Sequence, residues 1–159
     1  MKIFKKINIY IWSIILIIID QITKIYVINN FKNAPITIIK GVLRITYCEN
    51  NGVAFSIGSG KIIMFIILNI ILILGLIYFY EKNKCNFNKI NKIFIVMIIS
   101  GGISNLLDRI IRGYVVDFID VNQLFSFAIF NIADIFIVIG VIGFGILSLY
   151  ETGKEKSNV

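Results

Sequence analysis

Four long apolar runs, separated by stretches where charged and polar residues return, organise this chain. They lie at about Ile9 to Ile28, Ile62 to Tyr80, Ile93 to Ile111 and Ile132 to Tyr150. Each is close to the roughly 20 residues that an α-helix needs to cross a bilayer. The first run follows Lys2, Lys5 and Lys6, like the opening of a secretory signal. No small-x-small cleavage site comes after it, so it reads as an uncleaved span. From Phe31 to Gly60 the pattern shortens: Thr37 to Ile39 and Leu43 to Cys48 flank Lys40-Gly41, and Asn51-Gly52 leads into Val53 to Ile57. An Asn-Gly pair between extended runs is a strong hairpin signal, because both turn positions need positive φ. The pattern predicts an all-α integral membrane protein, one membrane domain over residues 1–159. Its four transmembrane helices carry a small extracytoplasmic β-sheet cap, residues 31–60, between helices one and two.

Composition supports the membrane reading. The chain is 58% hydrophobic and 16% charged, with a mean hydropathy of +0.89, whereas soluble domains are about 45–50% apolar and about 25% charged. A net charge of +7 would suggest nucleic acid for a soluble protein. Here the lysines cluster beside apolar runs, as orientation signals do, and no nucleic-acid partner is expected. Lys2, Lys5, Lys6, Lys82, Lys84, Lys89, Lys92, Lys154 and Lys156 fall on one face; Lys32, Lys40, Arg44, Lys61, Arg109 and Arg112 fall on the other. By the positive-inside rule both termini are cytoplasmic. The chain has no histidine, which removes Ser-His and Cys-His catalysis and every His-ligated metal site. Cys48 and Cys85 lack metal-ligand spacing and fall on opposite sides of the membrane, so neither a disulfide nor a metal site is expected.

Carboxylates beside such runs need a reason, since an ionisable group at a helix centre costs roughly 2.5–3.5 kcal/mol on insertion scales. On a helix, Gly101, Asn105, Asp108 and Arg112 fall on one stripe of the third span. That stripe can be an interfacial anchor, with Asp108 paired to Arg112 and Gly101 allowing close packing. Asp20 and Lys24 suit an i,i+4 ion pair in the first span. Asn50 suits a turn, and Asp117 and Asp120 suit solvated loop carboxylates. Asn131 and Asp134 suit a helix cap with its reciprocal acid. Asp117 and Asp134 also lie at one rim on either side of a short loop. If they converge, two carboxylates sharing a proton can act as base and acid in peptide hydrolysis, with no histidine, metal or nucleophilic side chain.

Five blocks occur in order: Asp20-Gln-Ile-Thr-Lys24, Asn50-Asn-Gly-Val-Ala-Phe-Ser56, Asn105-Leu-Leu-Asp108-Arg109, Gly113-Tyr-Val-Val-Asp117-Phe118 and Phe130-Asn-Ile-Ala-Asp134. With them the chain resembles the lipoprotein signal peptidase family, signal peptidase II, over nearly its whole length. The resemblance implies a bacterial aspartic endopeptidase that needs no cofactor. Such an enzyme removes the signal peptide of a prolipoprotein just before its diacylglyceryl-modified cysteine. It implies a multi-pass protein of the cytoplasmic membrane with its active site near the outer face, in contact with membrane lipid and inhibited by globomycin-type peptides. By motif position it implies Asp117 and Asp134 as the catalytic dyad. Asn50, Asn105, Arg109 and Asn131 would bind substrate or orient the dyad, and Asp20, Lys24, Gly101 and Asp108 would be structural or accessory.

The alternative is a small polytopic transporter or channel component whose polar stripe lines an ion path, which expects carboxylates spread through the membrane. A non-catalytic scaffold would use the same groups as glue between helices. A presenilin-like protease expects one aspartate in a Gly-x-Gly-Asp context, which this chain lacks.

Overall fold

A computed structural model of the chain describes residues 8–52, 61–122 and 127–157. Four helices, α1 (Ile9–Phe31), α2 (Ile62–Asn83), α3 (Lys89–Arg112) and α4 (Ile132–Ser157), are long and apolar enough to cross a membrane. They run beyond the apolar stretches because backbone hydrogen bonding does not stop where the side chains turn polar. Asn88, for example, starts α3 by accepting the N–H groups of Ile90 and Asn91 before any apolar run begins. Most large apolar side chains of α1, α2 and α4 point outward, as expected where the surrounding solvent is lipid.

α3 is the central helix, packed against α4, α1 and α2, and Ser100, Gly101, Gly102, Ser104, Asn105 and Asp108 on it are buried. Small residues let α4 approach. A Cβ on Gly101 would strike the Ala133 carbonyl oxygen and Ile137, and one on Gly140 would come within 2.8 Å of the Phe94 carbonyl oxygen. At the end where the chain passes from α2 to α3, Ile9, Tyr80, Ile95, Val96 and Ile99 form an apolar core. Phe79 of α2 meets Phe144 of α4 there at 6.2 Å between ring centres. Toward the other end a wedge opens between α2 and α4, lined by Leu68 and Leu72 of α2, Asn105 and Arg109 of α3 and Val138 of α4.

Among the described residues, three strands close that other end: β1 (Ile36–Ile39), β2 (Leu43–Asn50) and β3 (Val115–Asp120), antiparallel in the order β1-β2-β3. The first two come from the segment between α1 and α2, as expected. The third comes from between α3 and α4, and the Val53 to Ile57 strand read from the sequence lies outside the described residues. Gly113 caps α3 at φ +82, a left-handed turn that glycine makes without the Cβ clash, and it sends the chain directly into β3. In β2–β3 the pairs Arg44↔Asp120 and Ile45↔Ile119 are followed by Cys48↔Asp117 and Asn50↔Val115, with a bulge between Ile45 and Cys48. Asp120 is not a solvated loop acid. It is 2% exposed and bonded by Arg44 at 2.7 Å, because this segment is a strand that pairs with β2 and sets Asp120 opposite Arg44, not a loop.

Candidate active site

β3 delivers Asp117 and the first turn of α4 delivers Asp134 to one cavity of about 610 Å³ beneath the sheet. Asn131 stands between them. Its Nδ2 donates to Asp117 Oδ1 at 2.7 Å, and its backbone N–H donates to Asp134 Oδ2 at 3.1 Å. Its Oδ1 accepts the Asp134 N–H at 2.9 Å. The reciprocal helix cap expected for these two residues is therefore present, and it coexists with a place in the cavity wall.

The other oxygens have their own donors. Asn105 Nδ2 donates to Asp134 Oδ1 at 2.8 Å, and Asn50 Nδ2 donates to Asp117 Oδ2 at 2.8 Å. Asn50 is also the turn residue it looked like, since its Oδ1 accepts the Gly52 N–H at 3.0 Å, which leaves its NH2 aimed at Asp117. Arg109 lines the cavity above the Phe65 ring and holds the Gly52 carbonyl at 3.1 Å. It thereby joins α3 to the turn after β2. Burial first, and the neighbouring Asp134 charge second, push the Asp117 carboxyl up to about 7.

Behind this wall, Asp20, Lys24 and Asp108 have no exposed side-chain surface. Lys24 is not the partner of Asp20 alone: its ammonium lies 2.8 Å from Asp20 and 2.9 Å from Asp108. Asp108 makes the expected pair with Arg112 as well. Gly101 lies apart from the polar groups, at the α3–α4 contact.

Sequence reasoning missed Asn69. It is the one hydrogen-bonding side chain between Lys61 and Tyr78, and that isolation within an apolar run was a usable signal. Its Nδ2 donates to the Gly102 carbonyl at 3.1 Å and it lines the cavity part-way down the wedge. Leu68 and Leu72 of α2 and Val138 of α4 form the apolar walls and are open on their outer sides. The site therefore has a polar end, two carboxylates sharing amide donors, and an apolar groove that faces sideways between helices. It can hold an extended or helical apolar segment with one peptide bond beside the carboxylates.

A sequence model of the family described as signal peptidase (SPase) II matches residues 12–150. A lipoprotein signal peptidase of Caldicellulosiruptor bescii is 43% identical over 146 residues, 91% of this chain and 93% of that protein. One from Staphylococcus aureus strain Newman is 38% identical over 146 residues, 91% of this chain and 89% of that protein. Among solved structures, one described as a bacterial membrane enzyme superposes with a TM-score of 0.83 at 37% identity, covering 92% of this chain and 90% of that one. A second so described gives 0.79 at 36% identity, covering 89% and 92%.

Proposed function

The chain belongs to the signal peptidase II family and is a multi-pass membrane peptidase, and from that premise we propose that it is an aspartic endopeptidase acting through Asp117 and Asp134. Its substrate is a prolipoprotein bearing a diacylglyceryl cysteine, cut on the N-terminal side of that cysteine. The observation that carries this reading is the double hold of Asn131 on both carboxylates at the wall of one cavity. Asp117, pushed up to about 7, holds the shared proton and is the acid. Asp134, in the first turn of α4, where the helix dipole favours an ionised carboxylate, is the base.

Asp134 takes a proton from water while Asp117 gives one to the scissile carbonyl oxygen. The gem-diol intermediate then collapses: Asp134 passes its proton to the leaving nitrogen, Asp117 takes one from a gem-diol hydroxyl, and the C–N bond breaks to release the leader. That exchange leaves Asp117 protonated and Asp134 ionised, ready for the next turnover, and the coupled pair titrates as a unit. Asn50, Asn105 and Asn131 fix the orientation of both carboxylates, and Arg109 provides a cation at the cavity rim for substrate carbonyls.

Depth supplies part of the specificity. A lipid-anchored cysteine stays at the interface while the leader lies in the groove between α2 and α4, so the bond to be cut meets the sheet end of the bundle. On this reading that end lies at the outer face of the bacterial cytoplasmic membrane with both termini inside, an orientation that the distribution of basic residues supports. Globomycin-type peptides would compete for the same groove. An ion path is a poorer fit, because the end of the wedge away from the dyad is closed by the Ile9, Tyr80 and Ile95 cluster.

The test is cleavage of a diacylglycerylated precursor by reconstituted protein. Asp117→Asn and Asp134→Asn should each abolish turnover while the precursor still binds. Near wild-type cleavage by either variant would sink the dyad.

A further inference from the structure

Lys24 touches neither reacting carboxylate, yet each of its contacts leads to one. Its ammonium meets Asp20 Oδ2 at 2.8 Å, Asp108 Oδ2 at 2.9 Å and Asn105 Oδ1 at 2.9 Å. An ammonium has three protons, and these acceptors take all of them. Asp108 Oδ2 in turn accepts the backbone N–H of Val116 at 3.1 Å. Asp20 Oδ1 accepts that of Ala133 at 2.9 Å. Val116 is the residue before Asp117, and Ala133 is the residue before Asp134. The third acceptor, Asn105, presents its oxygen to Lys24 and so presents its Nδ2 to Asp134 Oδ1 at 2.8 Å.

We propose that Lys24, Asp20 and Asp108 form one positioning device, which sets the separation of the two reacting carboxylates by gripping the peptide N–H immediately before each of them. It rests on the dyad reading above and adds how the dyad is held. The three ionic groups have no exposed side-chain surface at which solvent could replace a lost partner, so each keeps the others at one geometry. The remaining lone pairs are occupied too. Ser104 Oγ donates to Asp20 Oδ2 at 2.6 Å, while Gln21 at 3.0 Å and Arg112 donate to Asp108 Oδ1. Neither acid is left facing the cavity as a proton carrier. Acceptors arriving from three sides suit a compact ammonium, whereas a guanidinium presents its donors in one plane. Because β3 and α4 are gripped from the same centre, a shift at Lys24 moves both carboxylates.

The experiment uses the full-length protein in lipid vesicles with a diacylglycerylated precursor. It measures kcat, KM, thermal unfolding and the amide NMR resonances of Val116 and Ala133. Asp20→Glu and Asp108→Glu keep the charge but displace the grip; Asp20→Asn and Asp108→Asn keep an acceptor oxygen and guard against a variant that does not fold. A displacement approaching 1 Å can cost on the order of a hundred-fold in rate, so kcat should fall at least about ten-fold while KM stays within about two-fold. Changes at Asp20 should move the Ala133 resonance, and changes at Asp108 the Val116 resonance. Unchanged kcat in the folded variants overturns the proposal, as does a loss of activity that follows the folded fraction alone or leaves both resonances in place. If Asp117→Asn keeps its activity, the dyad reading fails instead, and the resonance shifts still report the grip.

Discussion

Asp117 is the residue whose chemistry conflicts most with its setting. It is 2% exposed, and burial and Asp134 push its carboxyl up to about 7. The folded protein therefore holds this proton more tightly than the unfolded chain, whose aspartates titrate near pH 4. Between about pH 4 and about pH 7 the native state binds more protons, so stability falls as pH rises through that window. Asp117→Asn removes the conflict. It should unfold several degrees above wild type near pH 8, match it near pH 4, and be inactive throughout; thermal unfolding at the two pH values checks this. Single residues were legible in the sequence where one partner explained them, as with Asn131 capping Asp134 or Asp108 pairing with Arg112. They were not legible where partners come from distant segments. Nothing near Asp120 in the sequence announces Arg44, and nothing near Lys24 announces Asn105.

Among the elements, the α3–α4 contact is the most constrained, because backbone sits where side chains normally would. Gly101→Ala would place a methyl against the Ala133 carbonyl, one residue from Asp134. Overpacking of this kind costs about 1–3 kcal/mol. Both the unfolding temperature and the cleavage rate should drop, the rate through the displaced first turn of α4. Gly145 on the same helix has nothing within 4 Å of an added Cβ. Gly145→Ala should be neutral, or stabilising by up to about 1 kcal/mol, with cleavage unchanged. The four helices were readable from apolar run length alone, and the β1–β2 turn from Lys40-Gly41. β3 was not legible as a member of the sheet, since its pairing with β2 joins Val115 to Asn50 across two whole helices, α2 and α3.

At the scale of the molecule, the wedge between α2 and α4 gives the protein its sideways opening, held shut at one end by Phe79 and Phe144. Asn69 is the one polar point on the α2 wall. Asn69→Leu should raise KM for precursors with polar residues at the matching depth of the leader, with little change in kcat; steady-state kinetics on two precursors checks this. The orientation inferred from the basic residues is testable through the thiols. Cys85 is exposed in the α2–α3 loop, whereas Cys48 is half-buried and burial raises its pKa. An impermeant maleimide should therefore label Cys85 only after the inner face of the membrane is opened, and Cys48 slowly from either preparation. Labelling of Cys85 on intact cells would invert the topology.

The bulge in β2 solves a problem of parity. Asp117 and Asp120 are an odd number of residues apart, so they point to opposite faces of β3, while Arg44 and Asn50 are an even number apart and in a regular strand would point to the same face. A perfect ladder could thus satisfy the Arg44–Asp120 ion pair or the Asn50–Asp117 hydrogen bond, but not both. One surplus residue between Ile45 and Cys48 changes the phase of the strand midway. The far half can then anchor the sheet while the near half reaches Asp117. Alternation counted along Leu43 to Asn50 is therefore out of step with function here, and any design that regularises this strand would have to choose between fastening the cap and orienting Asp117.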